Sequence, residues 1–312
     1  MGNGFWNRKV FILETTFVTA IQRKPGYNQY AWRDGSPKSN GKRKMQNKLS
    51  LIMIPHEHGA WAMVAAPLLI GIGVAPAPNL AALLFALSAL GFFFLRYPLA
   101  MAIKSRAPDA RRHAERWSVI YGALTLLCGS ALLASAPLWQ FIPIGALGCA
   151  SLALYLLLVA RRAEMSVAGE WIGIAGLALG APGAYLAATG ALDGTALALY
   201  LLNVLFFGGT VFYIKFKVRE QPRVVTAGAS ARERFWAGRG TIAYHAFALV
   251  VVALLALLGR VPALAAAALF LPLAKVVAGV ASRPVRLNIA RLGFIELGVT
   301  VAFAVIVLAA YR

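Results

Sequence analysis

The first residues with chemical potential are two histidines and a carboxylate. His56, Glu57 and His58 stand just before the first apolar segment of the chain. Histidines two residues apart point to different faces of a helix, although an extended segment could aim both at one metal ion. No further ligand spacing such as H-E-x-x-H is present. We therefore expect anchoring in a loop or at a membrane interface, with a metal or haem site as the weaker alternative, and we assign no cofactor.

Four further ionisable residues stand inside or beside apolar segments. A charged side chain in hydrocarbon costs a few kcal/mol on insertion scales, so it faces a protein interior or water. Lys275 and Glu296 could pair with each other and steady two helices. The alternative is a polar cavity that opens to the cytoplasm. Its predicted lining is His56, Glu57, His58, Glu170, His245 and Glu296.

Basic residues follow two of the apolar segments. Arg96 and Lys104 end the second segment, and Lys215 and Arg219 continue the sixth. Lys215 and Arg219 are four residues apart and would share one side of a helix. Guanidinium groups bind phosphate in a bidentate manner, so these four residues predict an anionic-ligand site. The alternative is ordinary contact with anionic lipid headgroups.

The composition shows which elements must position these residues. The 312 residues are 60% hydrophobic and 13% charged, with a net charge of +20. A soluble domain is nearer 45–50% apolar and about 25% charged. Positive charge at a membrane surface explains the basic excess without nucleic-acid binding. Cys128 and Cys149 lie in apolar segments and are expected to pack rather than to form a disulfide.

Apolar runs of roughly 17–24 residues recur, each near the length needed to cross a bilayer. Backbone amides in lipid need internal partners, and the runs lack the alternation of a barrel, so we expect helices. The prediction is an all-α polytopic membrane protein with nine transmembrane helices, at 59–75, 80–103, 117–136, 138–160, 169–189, 195–214, 241–259, 262–281 and 289–310.

The distribution of Lys and Arg predicts orientation. The links after the second, fourth, sixth and eighth runs are rich in basic residues, whereas the opposite side has only Asp193, Arg260 and Arg312. Cytoplasmic loops collect positive charge, so the N-terminus is predicted inside and the C-terminus outside.

The chain is predicted to have two parts. Residues 1–52 are polar and basic and are expected to form a disordered cytoplasmic tail, with a mis-assigned start as the alternative and Met45 or Met53 as the true first residue. Residues 53–312 form the nine-helix domain. In its fifth run, small residues at 169, 173, 176, 180 and 184 predict close helix packing, and Pro182 predicts a kink.

The segment that leads into the first run carries a family resemblance. Its residues are Pro55, His56, Glu57, His58, Gly59, Ala60, Trp61, Ala62 and Met63. They are similar to the opening signature of the YwiC-like family of bacterial membrane proteins, and residues from about 53 to 312 resemble one such chain. This resemblance implies the bacterial cytoplasmic membrane and no settled activity.

The fourth and fifth runs carry a more distant resemblance, at Tyr155, Arg161, Arg162, the run 176–182, Ala188, Thr189 and Gly190. These residues are similar to the fourth and fifth helices of the UbiA-type membrane prenyltransferases, which have nine helices and active loops after the second and sixth. The resemblance implies a UbiA-like bundle and transfer of a prenyl group to a lipophilic acceptor.

The chain departs from those prenyltransferases at the metal site. They hold Mg²⁺ with two aspartate-rich motifs, because hard cations need oxygen ligands. Here Arg96, Tyr97 and Pro98 stand where the first motif would begin, and Lys215 and Arg219 occupy the second. We expect no Mg²⁺, and an anionic lipid or isoprenoid phosphate bound directly by basic residues. A prenyltransferase, a transporter and a respiratory or haem-related accessory protein remain alternatives, with catalysis and oligomeric state undecided.

Overall fold

The computed structural model describes residues 52–55, 58–136, 139–222, 228–282 and 288–312, with the backbone alone for His58. These residues belong to the compact unit Ile52–Arg312. The predicted tail therefore lies outside the described residues, apart from Ile52. His56, Glu57 and the side chain of His58 lie outside them as well.

The described residues are helical and contain no strand. Two of the helices, α5 and α6, follow each other directly and form one span, so the described part of the chain contains nine spans. Eight spans are long and apolar enough to cross a membrane, and the first is shorter. The helices are α1 (His58–Val74), α2 (Leu80–Lys104), α3 (Pro108–Ser135), α4 (Phe141–Ala160), α5 (Val167–Ala178), α6 (Gly180–Thr189), α7 (Gly194–Lys215), α8 (Ala231–Leu257), α9 (Leu264–Ala281) and α10 (Ile289–Ala310).

The nine predicted runs are confirmed as helices, and the chain is a multi-pass membrane protein. Two helices begin earlier than their apolar runs, α3 at Pro108 and α8 at Ala231. Pro108 occupies the first helical turn, where its missing N–H is harmless. Ser230 and Glu233 form a capping box that starts α8. The first residues of these two helices are polar, so hydropathy alone could not find them.

The predicted kink at Pro182 is confirmed. The fifth span is interrupted at Leu179, which separates α5 from α6. Proline lacks the N–H that would bond to the carbonyl four residues earlier, so the helical ladder weakens there. Close packing at the small residues is also found. A Cβ on Gly71 of α1 would lie 2.3 Å from the Ala181 carbonyl oxygen, and one on Gly176 would lie 2.2 Å from the Ser151 hydroxyl.

The core surrounds α7, which contacts α1, α5, α6, α8 and α9. Leu199 and Phe206 of α7 are fully buried, and the Phe206 ring stacks on Phe303 of α10 with centroids 4.0 Å apart. By contrast, α3 and α4 expose most of their apolar side chains, as suits contact with lipid. Because lipid is as apolar as leucine, tight packing rather than burial from water holds such helices together. The central helix α7 carries two of the polar side chains described below, Tyr213 and Lys215.

Candidate functional site

Basic side chains gather at one end of the helices. Contacts at this end join the C-terminal ends of α2, α7 and α9 to the chain near the N-terminal ends of α5 and α8. The opposite ends of the helices carry few charges, among them Asp193, Arg260 and Arg312. We call the first end the basic rim, defined by Arg96, Lys104, Glu164, Glu170, Lys215, Lys217 and Arg219.

One ion pair of the basic rim joins α2 to the link before α5. Lys104, the last residue of α2, pairs with Glu164. A Cβ on Gly169 would lie 2.4 Å from the Glu164 carbonyl oxygen, so the link is held tightly against the first turn of α5. Arg162 supports this turn with a φ of 55°, a left-handed conformation that is uncommon for a non-glycine residue. The pair is partly exposed to solvent.

A second ion pair joins α5 to the central helix. Glu170 stands in the first turn of α5, whose N-terminus is capped by the Ser166 side chain. Lys215 is the last residue of α7 and pairs with Glu170. The carboxylate is favoured at a helix N-terminus and the ammonium at a C-terminus, so the two helix dipoles support the pair. Both side chains are about one-fifth exposed, which leaves the pair within reach of a ligand.

Arg96 is a residue of α2 whose side chain contacts α4. Its guanidinium carbon is 5.0 Å from the centroid of the Tyr155 ring and 5.7 Å from that of Phe93. Such cation–π contacts are worth about 0.5–2 kcal/mol and leave the charge of the guanidinium in place. The helix continues through Pro98 to Lys104, so Arg96 stands two turns before the end of α2.

The sixth span ends in a π-helix, Phe216–Glu220. π-Helical turns are rare and frequent at functional sites. This one directs Lys217 inward, where its Nζ donates a hydrogen bond to the Gly279 carbonyl oxygen at 2.9 Å. Arg219 is exposed. The shared side predicted for Lys215 and Arg219 stays a prediction.

A second polar group lies deeper, between α7, α8, α9 and α10. Lys275 Nζ donates to Glu296 Oε1 at 2.6 Å, so the pair that the sequence allowed is present. Their side chains are only 11% and 10% exposed. The Lys275 ammonium also lies 4.4 Å from the centroid of the Tyr213 ring. The second oxygen of Glu296 is buried and has no protein partner.

His245 of α8 completes this group. Its Nδ1 is 2.7 Å from the Thr241 carbonyl oxygen, and its Nε2 is buried without a partner. The ring fits against Gly209 of α7, where a Cβ would lie 2.6 Å from Nε2. Gly209 stands four residues before Tyr213 on the same helix. We call Tyr213, His245, Lys275 and Glu296 the buried cluster.

The structure thus divides the predicted cavity lining. His245 and Glu296 belong to the buried cluster, whereas Glu170 pairs with Lys215 at the basic rim. Sequence reasoning missed Glu164, Tyr213 and Lys217. The adjacent glycines at 208 and 209, unusual within a long apolar helix, were the signal for close contact with α8.

No group of three metal-binding side chains is found among the residues that the structure describes. The His56 and His58 side chains are outside that part of the chain, so the predicted metal or haem alternative there stays a prediction.

Comparison with known proteins finds a family match over part of the chain. Residues 54–185 match the family model described as YwiC-like protein. The chain is therefore similar to YwiC-like proteins over these residues. It is 28% identical over 172 residues to "Uncharacterized protein YwiC" of Bacillus subtilis (strain 168), covering 54% of this chain and 68% of that protein. No solved structure matches the chain.

A second relative extends the similarity beyond the YwiC-like segment. It is an "Uncharacterized protein" of Haemophilus influenzae (strain ATCC 51907 / DSM 11121 / KW20 / Rd), 24% identical over 265 residues. The match covers 83% of this chain and 98% of the relative. Both relatives are uncharacterised, so neither printed name supplies an activity.

Proposed function

We propose that the whole chain is a YwiC-like protein of the bacterial cytoplasmic membrane and that its basic rim binds an anionic phosphate headgroup. The headgroup belongs to a membrane lipid or to an isoprenoid phosphate. The basic rim faces the cytoplasm, with the N-terminus inside and the C-terminus outside. The concentration of Lys and Arg at one end of the helices supports this orientation.

The observation that carries the proposal is the Lys215–Glu170 pair. It sits where the central helix ends, and it is partly exposed. A phosphate monoester carries about −1.5 to −2 charges at neutral pH and has three strong acceptor oxygens. Such a group competes well with a single carboxylate for the Lys215 ammonium. The bound state would therefore exchange one partner of Lys215 for another without burying a new charge.

Arg96 supplies the second cation. Its guanidinium carbon lies 5.0 Å from the centroid of the Tyr155 ring at the α2–α4 boundary, and its planar guanidinium matches the oxygens of a phosphate. The two helices are linked to the Lys215–Glu170 pair through α5, because the Ser151 hydroxyl of α4 donates to the Ile172 carbonyl oxygen at 2.8 Å. We assign Lys104 and Arg219 to the outer edge of the same headgroup site, where both are exposed.

The sign of the charge distinguishes this function from metal-dependent prenyl transfer. A UbiA-like bundle is part of the proposal, supported by nine spans with basic links after the second and sixth. In a Mg²⁺ site, carboxylates hold the metal and the metal holds the diphosphate. Here lysine and arginine stand at the corresponding places and can hold a phosphate themselves.

Orientation is tested by reporter fusions. A reporter placed after Glu220, between α7 and α8, is expected to report the cytoplasm, and one placed after Arg260 is expected to report the exterior. The reverse pattern would remove the headgroup site from the cytoplasmic leaflet and overturn the proposal.

Binding is tested with purified full-length protein in a neutral detergent. The probes are a polyprenyl monophosphate, a short-chain phosphatidic acid and inorganic phosphate. Each charged phosphate contact is worth about 1.5–3 kcal/mol, so the Arg96→Ala, Lys215→Ala double variant should lose at least about tenfold in affinity. Binding of the polyprenyl monophosphate alone indicates that the ligand is an isoprenoid phosphate. Equal affinity for all three probes indicates that the site recognises the phosphate group and not the chain attached to it.

The matched control is the Arg260→Ala, Arg312→Ala double variant, which removes the same charge from the opposite end of the helices. It should bind as the unchanged protein does. Affinity that is unaltered in the Arg96→Ala, Lys215→Ala variant, or equally reduced in the control, would show that the basic rim contains no such site.

A further inference from the structure

We infer that the buried cluster of Tyr213, His245, Lys275 and Glu296 is a proton-binding site in the interior of the helix bundle. Its ligand is a proton exchanged with enclosed water, and Glu296 is the residue that takes it up. This inference is independent of headgroup binding, because it uses residues that lie deeper than the basic rim.

The depth of the cluster is the first step. Tyr213 lies two residues before the end of α7, and Lys275 lies six residues before the end of α9. Glu296 is seven residues into α10. At 1.5 Å per residue these positions stand within about two helical turns of the basic rim. The basic rim is therefore the nearer end of the bundle for exchange with water, whereas the Phe206–Phe303 stack lies on the other side of the cluster.

Unsatisfied acceptors are the second step. Glu296 Oε2 and His245 Nε2 are both buried and have no protein partner, and the Thr241 hydroxyl, one turn closer to the basic rim, is also buried without one. His245 and Glu296 are only 4% and 8% exposed. Buried polar groups are nearly always hydrogen-bonded, so Glu296 Oε2 and His245 Nε2 each require a donor and the Thr241 hydroxyl requires a partner of either kind. Water molecules, or a proton on Glu296 itself, provide that donor.

The balance of charges is the third step. Burying both ions of a pair is costly, and attraction recovers the loss only when the geometry is good and the remaining lone pairs are satisfied. In this pair one carboxylate oxygen is not satisfied. Transfer of the hydrogen-bonded proton from Lys275 Nζ to Glu296 Oε1 would leave a neutral amine and a neutral acid. Uptake of a further proton then restores the Lys275 ammonium. The pair has gained one proton, and that proton is carried by the Glu296 carboxyl group.

Three neighbouring helices place titratable groups around Glu296. Lys275 of α9 donates to it, and the Tyr213 ring of α7 has its centroid 4.4 Å from the Lys275 ammonium. His245 of α8 packs against Gly209 of α7. The Tyr213 ring also contacts the Lys217 ammonium at 5.4 Å, so it lies between two cations. From Gly59 onward α1, which also packs on α10, has no titratable side chain. Once Glu296 is neutral, the π-face of Tyr213 remains as a partner for Lys275.

The test is infrared difference spectroscopy of the purified full-length protein in lipid nanodiscs, in buffers without phosphate. Lowering the pH while helix content stays constant should produce the carbonyl band of a protonated carboxyl. Labelling with ¹³C-carboxyl glutamate should shift that band, which assigns it to a glutamate rather than an aspartate without any substitution. A folded protein that shows no such band before its helix content falls would overturn the inference.

Variants assign the band to Glu296. It should disappear in Glu296→Gln and persist in Glu233→Gln, a matched change at the exposed capping box of α8. Lys275→Met removes the hydrogen-bond donor to Glu296, so the frequency of the band should shift in that variant. A band that survives in Lys275→Met unchanged, or in Glu296→Gln, would show that another carboxyl is responsible.

Discussion

Lys215–Glu170 at the basic rim and Lys275–Glu296 in the buried cluster are the same pair of side-chain types at two depths. The rim pair is about one-fifth exposed, and the buried pair is about half as exposed. Lys215 at the rim is the last residue of its helix. The buried Lys275 lies inside a helix, and its ammonium packs against the Tyr213 ring. The side-chain types of an ion pair therefore do not define its role by themselves. The solvent exposure and the neighbours of the pair decide how much free energy is needed to separate its charges.

Water explains the difference. Near water the effective dielectric constant is high, so a lysine can leave one acceptor for another at small cost. In the interior, a charge that loses its partner stays uncompensated. The rim pairs are therefore suited to exchange with an anionic headgroup. The buried pair is suited to hold or release a proton, since a change in its protonation costs less free energy than separating its two charges in the interior.

The largest effect is expected from breaking the buried pair. Glu296→Ala leaves the Lys275 ammonium buried without its carboxylate, so the free energy of unfolding should fall by about 3–5 kcal/mol. Reversible unfolding in mixed detergent micelles measures it. The double variant Lys275→Met, Glu296→Leu should recover most of the loss, because it removes both charges and fills the space. A single variant as stable as the unchanged protein would mean that water reaches Lys275 freely.

Most of the fold could be predicted from the sequence. The nine apolar runs are helical spans in the described part of the chain, because backbone groups in lipid must form hydrogen bonds within their own segment. Pro182 predicted the break in the fifth span, because proline has no backbone N–H to donate to the preceding turn. The polar starts of α3 and α8 were missed because capping by Pro108 and Ser230 adds helix where hydropathy is low.

The site was predictable only in part. Lys275 and Glu296 could be paired from the sequence, since two opposite charges at similar depth in neighbouring spans have few other partners. The contact of Lys217 with Gly279 depends on a π-helical turn that no local sequence pattern specifies. The partner of Lys215 was also out of reach, because it depends on how α5 packs beside α7. Spacing along one helix carries no information about a contact between helices.

An intermediate effect is expected where the central helix touches the buried cluster. Gly209→Ala places a methyl group about 2.6 Å from His245 Nε2, so the ring or α7 must shift. Overpacking of this kind typically costs about 1–3 kcal/mol. The same unfolding measurement checks it. Gly145→Ala is the matched control, because nothing lies within 4 Å of its Cβ and it should stabilise the helix by about 0.5–1 kcal/mol. Equal effects at both positions would show that His245 is not held against α7.

The smallest effect is expected from the Lys104–Glu164 pair of the basic rim. The Lys104 side chain is 42% exposed, so solvent screens its attraction to Glu164. A double-mutant cycle with Lys104→Ala and Glu164→Ala should give a coupling of about 0.2–1 kcal/mol. In about 1 M salt, where the screening length is near 3 Å, this coupling should vanish, while the loss caused by Glu296→Ala should persist. If salt reduced both effects equally, the two pairs would share one aqueous environment, and depth would not be what separates headgroup exchange from proton binding.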